Sequence, residues 1–516
     1  MKADRMDSAP LSRLSLIRND VSAGIVVFLV ALPLCLGIAT ASGVEPFAGL
    51  VSGIVGGLVV ALLSGSHLSV SGPAAGLVVI VVSAIASLGS FSAFLAAVLI
   101  AGLLQVLFGL LKAGRLASLV PAAVIQGMLA SIGIILIVKQ LPLAVGLSTD
   151  ATQALGAGTL WLHTPYGHVL PAAAALTVAS LALLLAWDTP AVKRIAPLRA
   201  IPGPLAVVGL GIAATLLLRR FAPTLELPLE HRVMLEPLNS FAALGAAISL
   251  PDFSQLLELD VWRVALTLAV VASLETLLSL EAVEQMDKLR RRASPDRELK
   301  AQGVGNVVAA TLGGLPLTSV IVRSSANVNA GARTRLSAVV HGVLLLASVF
   351  ALTAVLNLIP LACLAAILLH IGFKLAHPRL FLAMLRQGAR SALPFAATVG
   401  GVLATDLLAG IALGLAVGAV LALHANLRQT VTLTQRGDDF LLTFRKDASF
   451  LCKPLLMRKL DQIRDGAHVL IDAERADHID LDVLDAVNRF IADAPLRNIA
   501  VHTRHWPGAH AAESPD

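Results

Sequence analysis

Two charged residues stand inside stretches that are otherwise apolar. Arg323 lies in LPLTSVIVRSSANVNAG (Leu315–Gly331), and Glu275 lies deep in VALTLAVVASLETLLSLEAVEQMD, with Ser279 four residues further on. A charge surrounded by hydrocarbon is expensive, so its default reading is functional. Arginine offers a fixed fork of donors to an anion. Glu275 has three candidate roles: carrying a proton, balancing Arg323, or ligating a cation together with the Ser279 hydroxyl one turn later. A third stretch, HLSVSGPAAGLVVI (His67–Ile80), runs through Ser71-Gly72-Pro73 into an apolar segment, much as the arginine stretch runs through Pro316 to Ser319. A helix that starts in mid-membrane leaves its first N–H groups unpaired and its positive dipole end exposed. Two such ends meeting near the midplane make a polar, anion-favouring cavity that lipid does not reach.

This chemistry fixes expectations for single residues. Ser71-Gly72-Pro73 is expected to start one half-helix, with Pro73 in its first turn and the N–H groups of Ala74 and Ala75 free. In the other stretch, Pro316 to Ser319 is expected to be extended. Its helix should begin near Val320 to Ser324, so that Val322, Arg323 and Ser324 border the anion. Pro33, in the middle of VALPLCLGIA, frees a backbone carbonyl and bends its helix toward the cavity. Glu281, Glu284 and Asp287 read as solvated groups near the membrane edge, and Lys139 and Asp406 as anchors. His341 reads as a packing histidine with its polar atoms satisfied.

The elements that must position these groups are membrane spans. The 516 residues are 57% hydrophobic and 14% charged, with a mean hydropathy of +0.83. An ordinary soluble domain is about a quarter charged. Runs of roughly 20 apolar residues, each long enough to cross a bilayer, recur from Val21 to Leu423. Aromatics at 4% are too few for the girdles of a membrane barrel. The class is an α-helical polytopic membrane protein of about fourteen segments, embedded in a lipid bilayer. The net charge of +6 reflects positive-inside bias rather than nucleic-acid binding. Basic clusters such as Lys112/Arg115, Lys193/Arg194 and Lys374 to Arg390 fall on one side of a fourteen-segment topology, with Lys139 and the Arg219/Arg220 pair as external exceptions, which places both termini in the cytoplasm. Cys35, Cys363 and Cys452 are scattered and read as buried core residues. No nucleophile constellation, metal cluster or phosphate-cradling loop points to an enzyme.

The organisation expected is a cytoplasmic N-terminal segment (1–20), a transmembrane domain (21–428), a small α/β domain (429–506) and a disordered tail (507–516). The arginine stretch and the Ser71-Gly72-Pro73 stretch are the tenth and third segments. An offset of seven implies two halves, and an odd number inverts the second against the first. Short, Gly/Pro-interrupted segments at matching places in two halves are a sequence pointer to a transporter's binding site.

Several of these stretches resemble the sulfate permease family, over about residues 12–510. SGPAAGLVVI is similar to the start of the family's third helix and VIQGMLASIGIILIVKQL to its fifth. GGLPLTSVIVRSSANVNAGARTRLSAVVHG is similar to its tenth and eleventh, and PLACLAAILLHIGFKL to its twelfth. The resemblance implies 7+7 inverted repeats with half-helices 3 and 10, a core domain rocking against a gate domain, a C-terminal STAS domain and a homodimer. It places an anion between the third and tenth helix N-termini, flanked by the first and eighth helices. Carried onto this sequence, the anion site comprises Pro33, Ile38, Gly72, Ala74, Ala75, Val322, Arg323 and Ser324, and the coupling site Glu275 and Ser279. Leu34 follows Pro33 where many relatives have Gln, and Ile38 stands near a position that relatives fill with an aromatic; Ala74 likewise replaces an aromatic, so the pocket is expected to be more apolar. LPLCLGIATASG is more similar to the bacterial bicarbonate branch, whereas Arg323 also suits sulfate. Glu275 and Ser279 match the spacing of sodium-coupled members, and a glutamate equally suits proton coupling. The STAS-like region carries Asp480, Leu481 and Asp482 where related domains can carry a phosphorylatable serine.

The function implied is secondary active transport of bicarbonate or sulfate across a bacterial inner membrane by alternating access, coupled to H+ or Na+. No cofactor is expected beyond Na+ as a candidate coupling ion. The alternatives are a proton-coupled dicarboxylate carrier and an anion channel or exchanger on the same scaffold.

Overall fold

The computed structural model describes residues 13–115, 120–147, 169–194, 201–237 and 245–507. The expected tail at 507–516 lies almost wholly outside them. The chain divides into two compact units, Met1–Arg386 with Phe395–Ala412, and Leu413–Asp516 with Gln387–Pro394.

Every expected apolar segment has its helix among the described residues. The first half gives α1 (Arg13–Ala41), α2 (Pro46–Leu63), α3 (Ala75–Leu88), α4 (Phe91–Leu110), α5 (Ala122–Ala144), α6 (Pro171–Trp187) and α7 (Gly203–Phe221). The second gives α8 (Leu259–Met286), α9 (Pro295–Thr311), α10 (Ile321–Asn329), α11 (Leu336–Ala351), α12 (Leu361–Leu375), α13 (Ala389–Ala404) and α14 (Leu407–Thr430). At 1.5 Å per residue, α10 is about 14 Å long and α3 about 21 Å, against a hydrocarbon core of about 30 Å. Neither crosses alone.

The chain reaches both short helices through strands, β1 (Ser71–Pro73) and β2 (Leu317–Ser319). They pair antiparallel, Ser71 opposite Ser319, Gly72 opposite Thr318 and Pro73 opposite Leu317. The packing repeats with the offset of seven. Helix α1 packs on α11 as α8 packs on α4, while α5 packs on its counterpart α12, as β1 pairs with β2. Glycines permit these approaches, as small residues do between membrane helices. A Cβ on Gly133 of α5 would stand 2.6 Å from the Gly372 carbonyl of α12, and one on Gly57 of α2 2.6 Å from Gly342 of α11. A core of Leu36, Leu50, Val207, Leu345 and Ile367 joins α1, α2, α7, α11 and α12. Asp20, buried near the start of α1, accepts hydrogen bonds from the N–H groups of Arg333 (2.6 Å) and Thr334 (3.0 Å), fixing the approach to α11.

The second unit contains a four-stranded sheet in the order β3 (Val431–Arg436), β4 (Asp439–Phe444), β5 (His468–Asp472) and β6 (Ala500–Arg504). The first pair is antiparallel and the others parallel. Helices α15 (Lys453–Leu460) and α16 (Leu481–Asp493) supply the crossovers that parallel pairing requires. Phe444, Leu456, Ile471 and Val483 form its core. Strand β3 was not expected; it follows α14 without a break. All three cysteines are buried and free.

Candidate functional site

The two half-helix starts are held together by side chains as well as by strand pairing. Ser324 Oγ accepts from Val70 N at 2.9 Å and donates to Val320 O at 2.8 Å, and Val320 N donates to Val70 O at 3.0 Å. Ser69 and Ser319 join their hydroxyls. Ser324, expected beside the anion, is therefore a buried pin between the halves.

Helix α9 supplies the backing. Glu298, Gln302 and Asn306, spaced four apart, lie on one stripe of the helix and are all buried. Glu298 accepts from Ser64 Oγ (2.5 Å) and from Gln302 Nε2 (3.0 Å), and Gln302 Nε2 donates to Ser71 Oγ (2.7 Å). Asn306 clamps Leu317 of β2, accepting from its N–H at 2.7 Å and donating to its carbonyl at 3.1 Å. Thr276 of α8 accepts from Ser319 N at 3.3 Å. Sequence reasoning missed all four residues, although the i, i+4, i+8 spacing of the first three was a readable signal.

The start of α3 differs from expectation. Ser71-Gly72-Pro73 is strand, Ala74 is the extended cap, and a tight turn over Ala75–Leu77 precedes the α-helical part. Proline was expected to open the helix because it tolerates the first turn, but pairing with β2 holds it extended. The free N–H groups at the helix start thus fall at Ala75 and Gly76. Helix α10 begins as expected, capped by Val320.

Arg323 is completely buried. Its guanidinium lies against Gly72 and Pro73, with Nη2 donating to Pro73 O at 3.3 Å. A Cβ on Gly72 would collide with Nη1, which explains the glycine. Nε and Nη1 find no acceptor among the described residues, and the Cys35 thiol lies beside the group. The Glu275 carboxylate lies against the first turn of α3: a Cβ on Gly76 would stand 2.7 Å from Oε1. Its Oε2 has no hydrogen-bond partner among the described residues. Glu275 and Arg323 form no ion pair with each other, so the counter-charge role as a direct contact is not what this structure contains. Ser279 is buried one turn further along α8.

An open cavity of about 1280 Å³ reaches the start of α10 and is lined by Ile321 and Val322, by Val30 and Leu34 of α1, and by Ile367 and Ile371 of α12. Val322 is partly exposed to it, whereas Arg323 turns away. Pro33 and Ile38 are buried within α1; Leu34 is the neighbour that faces the cavity. Its lining contains no residue of α3; Gly72 and Ala74 are buried, whereas Ala75 is partly exposed.

Other expectations fare unevenly. Asp406 anchors α14 by accepting from Ala409 N at 2.8 Å. Asp287 is buried rather than solvated and pairs with Arg291 at 2.8 Å. Burial raises its carboxyl, but hydrogen bonds from Arg291 and Leu289 and the arginine charge outweigh that and hold it below the usual range. His341 is buried on α11, yet neither ring nitrogen finds a partner among the described residues; there it is not the satisfied histidine expected.

Crossed half-helices joined by a short antiparallel pair, set in two inverted seven-helix halves, define a multi-pass membrane protein of the transporter type. Residues 17–397 match the sulfate permease family, and the chain belongs to that family. It is 29% identical over 409 residues to a putative sulfate transporter, YvdB, of Bacillus subtilis, covering 77% of this chain and 72% of that one. It is 28% identical over 366 residues to the bicarbonate transporter BicA of Picosynechococcus, covering 69% and 61%. Among solved structures, the transmembrane domain of a cyanobacterial BicA superposes with a TM-score of 0.63 at 23% identity, over 80% of this chain and 98% of that one. SLC26A9 superposes with a TM-score of 0.72 at 14% identity, over 95% and 85%.

Proposed function

We propose that this protein is a secondary carrier of small inorganic anions, bicarbonate or sulfate, that works by alternating access and is coupled to H+ or Na+ through Glu275. The observation that carries the reading is the arrangement at the half-helix starts. Two positive helix ends leave one antiparallel strand pair, a buried arginine without a carboxylate partner among the described residues lies against Gly72 and Pro73, and the Glu275 carboxylate rests against the first turn of α3. The anion would take the free N–H groups of Ala75 and Gly76 on one side and of Ile321 and Val322 on the other, with Arg323 adding its charge through a low-dielectric wall.

Coupling then has an electrostatic basis. An ionised Glu275 occupies the positive end of α3 and repels a second anion there. A proton on Glu275, or Na+ held by Glu275 and Ser279, cancels that charge and lets the substrate in, so cation and anion favour each other's binding. The charge placement supports both termini in the cytoplasm of a bacterium. The α/β unit is proposed to be a STAS domain, and the working form a homodimer.

Labelled bicarbonate, sulfate and succinate uptake into proteoliposomes, with and without sodium and proton gradients, tests this. Saturable uptake of an inorganic anion driven by one gradient is expected. Preference for succinate would make it a dicarboxylate carrier, and conductance that does not saturate would overturn the carrier mechanism.

A further inference from the structure

The formal charges lining the large cavity are few. Asp188, just past the end of α6, receives Lys374 Nζ at 2.8 Å and His370 Nε2 at 3.2 Å, both on the same oxygen, Oδ2. Arg194 also lines the cavity, whose remaining lining is largely apolar. Asp188 and Lys374 are about half exposed, with side-chain exposures of 45% and 57%, while His370 is largely buried at 12%. Lys374 and His370 stand one turn apart on α12, so a single helix face presents two donors that converge on one anionic oxygen.

That oxygen belongs to a carboxylate: planar, singly charged, with two oxygens on one carbon. Bicarbonate has the same edge and the same charge. We propose that Lys374 and His370 form an anion station at the mouth of the cavity that takes one oxygen of a small oxyanion such as bicarbonate, and that Asp188 is its built-in competitor. An incoming anion takes the two donors as Asp188 swings to solvent; Asp188 reclaims them once the anion moves on toward Val322. The resident carboxylate keeps the station weak, so it passes anions inward rather than trapping them. The inference rests on the anion-carrier reading and, under the orientation proposed above, the mouth opens to the cytoplasm.

Trp187, which lines the cavity next to Asp188 in the chain, provides a probe. In full-length protein with Trp161, Trp262 and Trp506 replaced by Phe and with Arg323→Ala weakening the inner site, bicarbonate is expected to change Trp187 fluorescence saturably. Asp188→Asn removes one like charge from the donors and is expected to tighten bicarbonate binding about fivefold, the factor for one charge at ~4 Å in water-like surroundings. Lys374→Gln is expected to weaken it by a similar factor. Unchanged affinity in both variants, or weaker binding in Asp188→Asn with an unaltered melting temperature, overturns the station. If Asp188→Asn does not fold, Lys374→Gln decides alone. A station that titrates as described in a protein that transports no anion would instead sink the carrier reading and leave the station standing.

Discussion

Replacing Gly72 by Ala is a small change with a large expected effect. An added Cβ would overlap Arg323 Nη1 and lie 3.1 Å from Cζ, and the guanidinium cannot yield without giving up the Pro73 carbonyl. Overpacking of this kind costs about 1–3 kcal/mol in stability. The larger consequence is electrostatic. A unit charge at ~4 Å from an anion contributes about 4 kcal/mol at an effective dielectric of ~20, and doubling that separation halves the contribution. The lost ~2 kcal/mol corresponds to roughly thirtyfold in affinity. The assay is substrate binding to purified protein, by calorimetry, for Gly72→Ala, Arg323→Ala and the double variant. If Gly72 acts by seating Arg323, the alanine costs little in the absence of the arginine, because the atoms that clash have gone. Wild-type affinity in Gly72→Ala, or losses that add in the double variant, would refute the reasoning.

Glu275→Gln is expected to abolish the dependence of uptake on the pH or sodium gradient while anion binding survives, read from KM with and without each gradient. Ser324→Ala leaves Val70 N–H without its buried acceptor and is expected to lower stability by about 1–3 kcal/mol, measured as a lower melting temperature in detergent. Because the folded Asp287 carboxyl is held below its ordinary value of about 3.9, its contribution to stability is fully present above that value. The contribution is lost as pH falls through the lowered one, so acid melting curves should converge for wild type and Asp287→Asn. Removing residues 431–516 is expected to reduce yield or regulation and leave the order of anion preference intact, as an uptake panel would show.

The helices were legible because each buries an apolar run of membrane length, and α10 could be placed because Arg323 interrupts such a run. What the sequence hid was long-range. Pro73 sits in a strand because its partner, Leu317, arrives from the other half of the chain, and no local pattern records that pairing. The polar first turns of α9 concealed where it begins, so Gln302, which braces β1, and Glu298, which holds Gln302 and Ser64, were not singled out. The direction of Arg323 was equally invisible: its residue type pointed to an anion, but only the missing Cβ of Gly72 gives the guanidinium a place behind the cavity wall. Ser324 kept its expected address, where its hydroxyl joins Val70 to Val320.

The most direct measurement is a crystal structure with an anion that scatters anomalously, selenate for sulfate or bromide for a small halide. The account places the peak between the N–H groups of Ala75 and Gly76 and those of Ile321 and Val322, and loses it in Arg323→Ala. A peak confined to Lys374 at the cavity mouth, or a half-helix peak that survives Arg323→Ala at full occupancy, would contradict it.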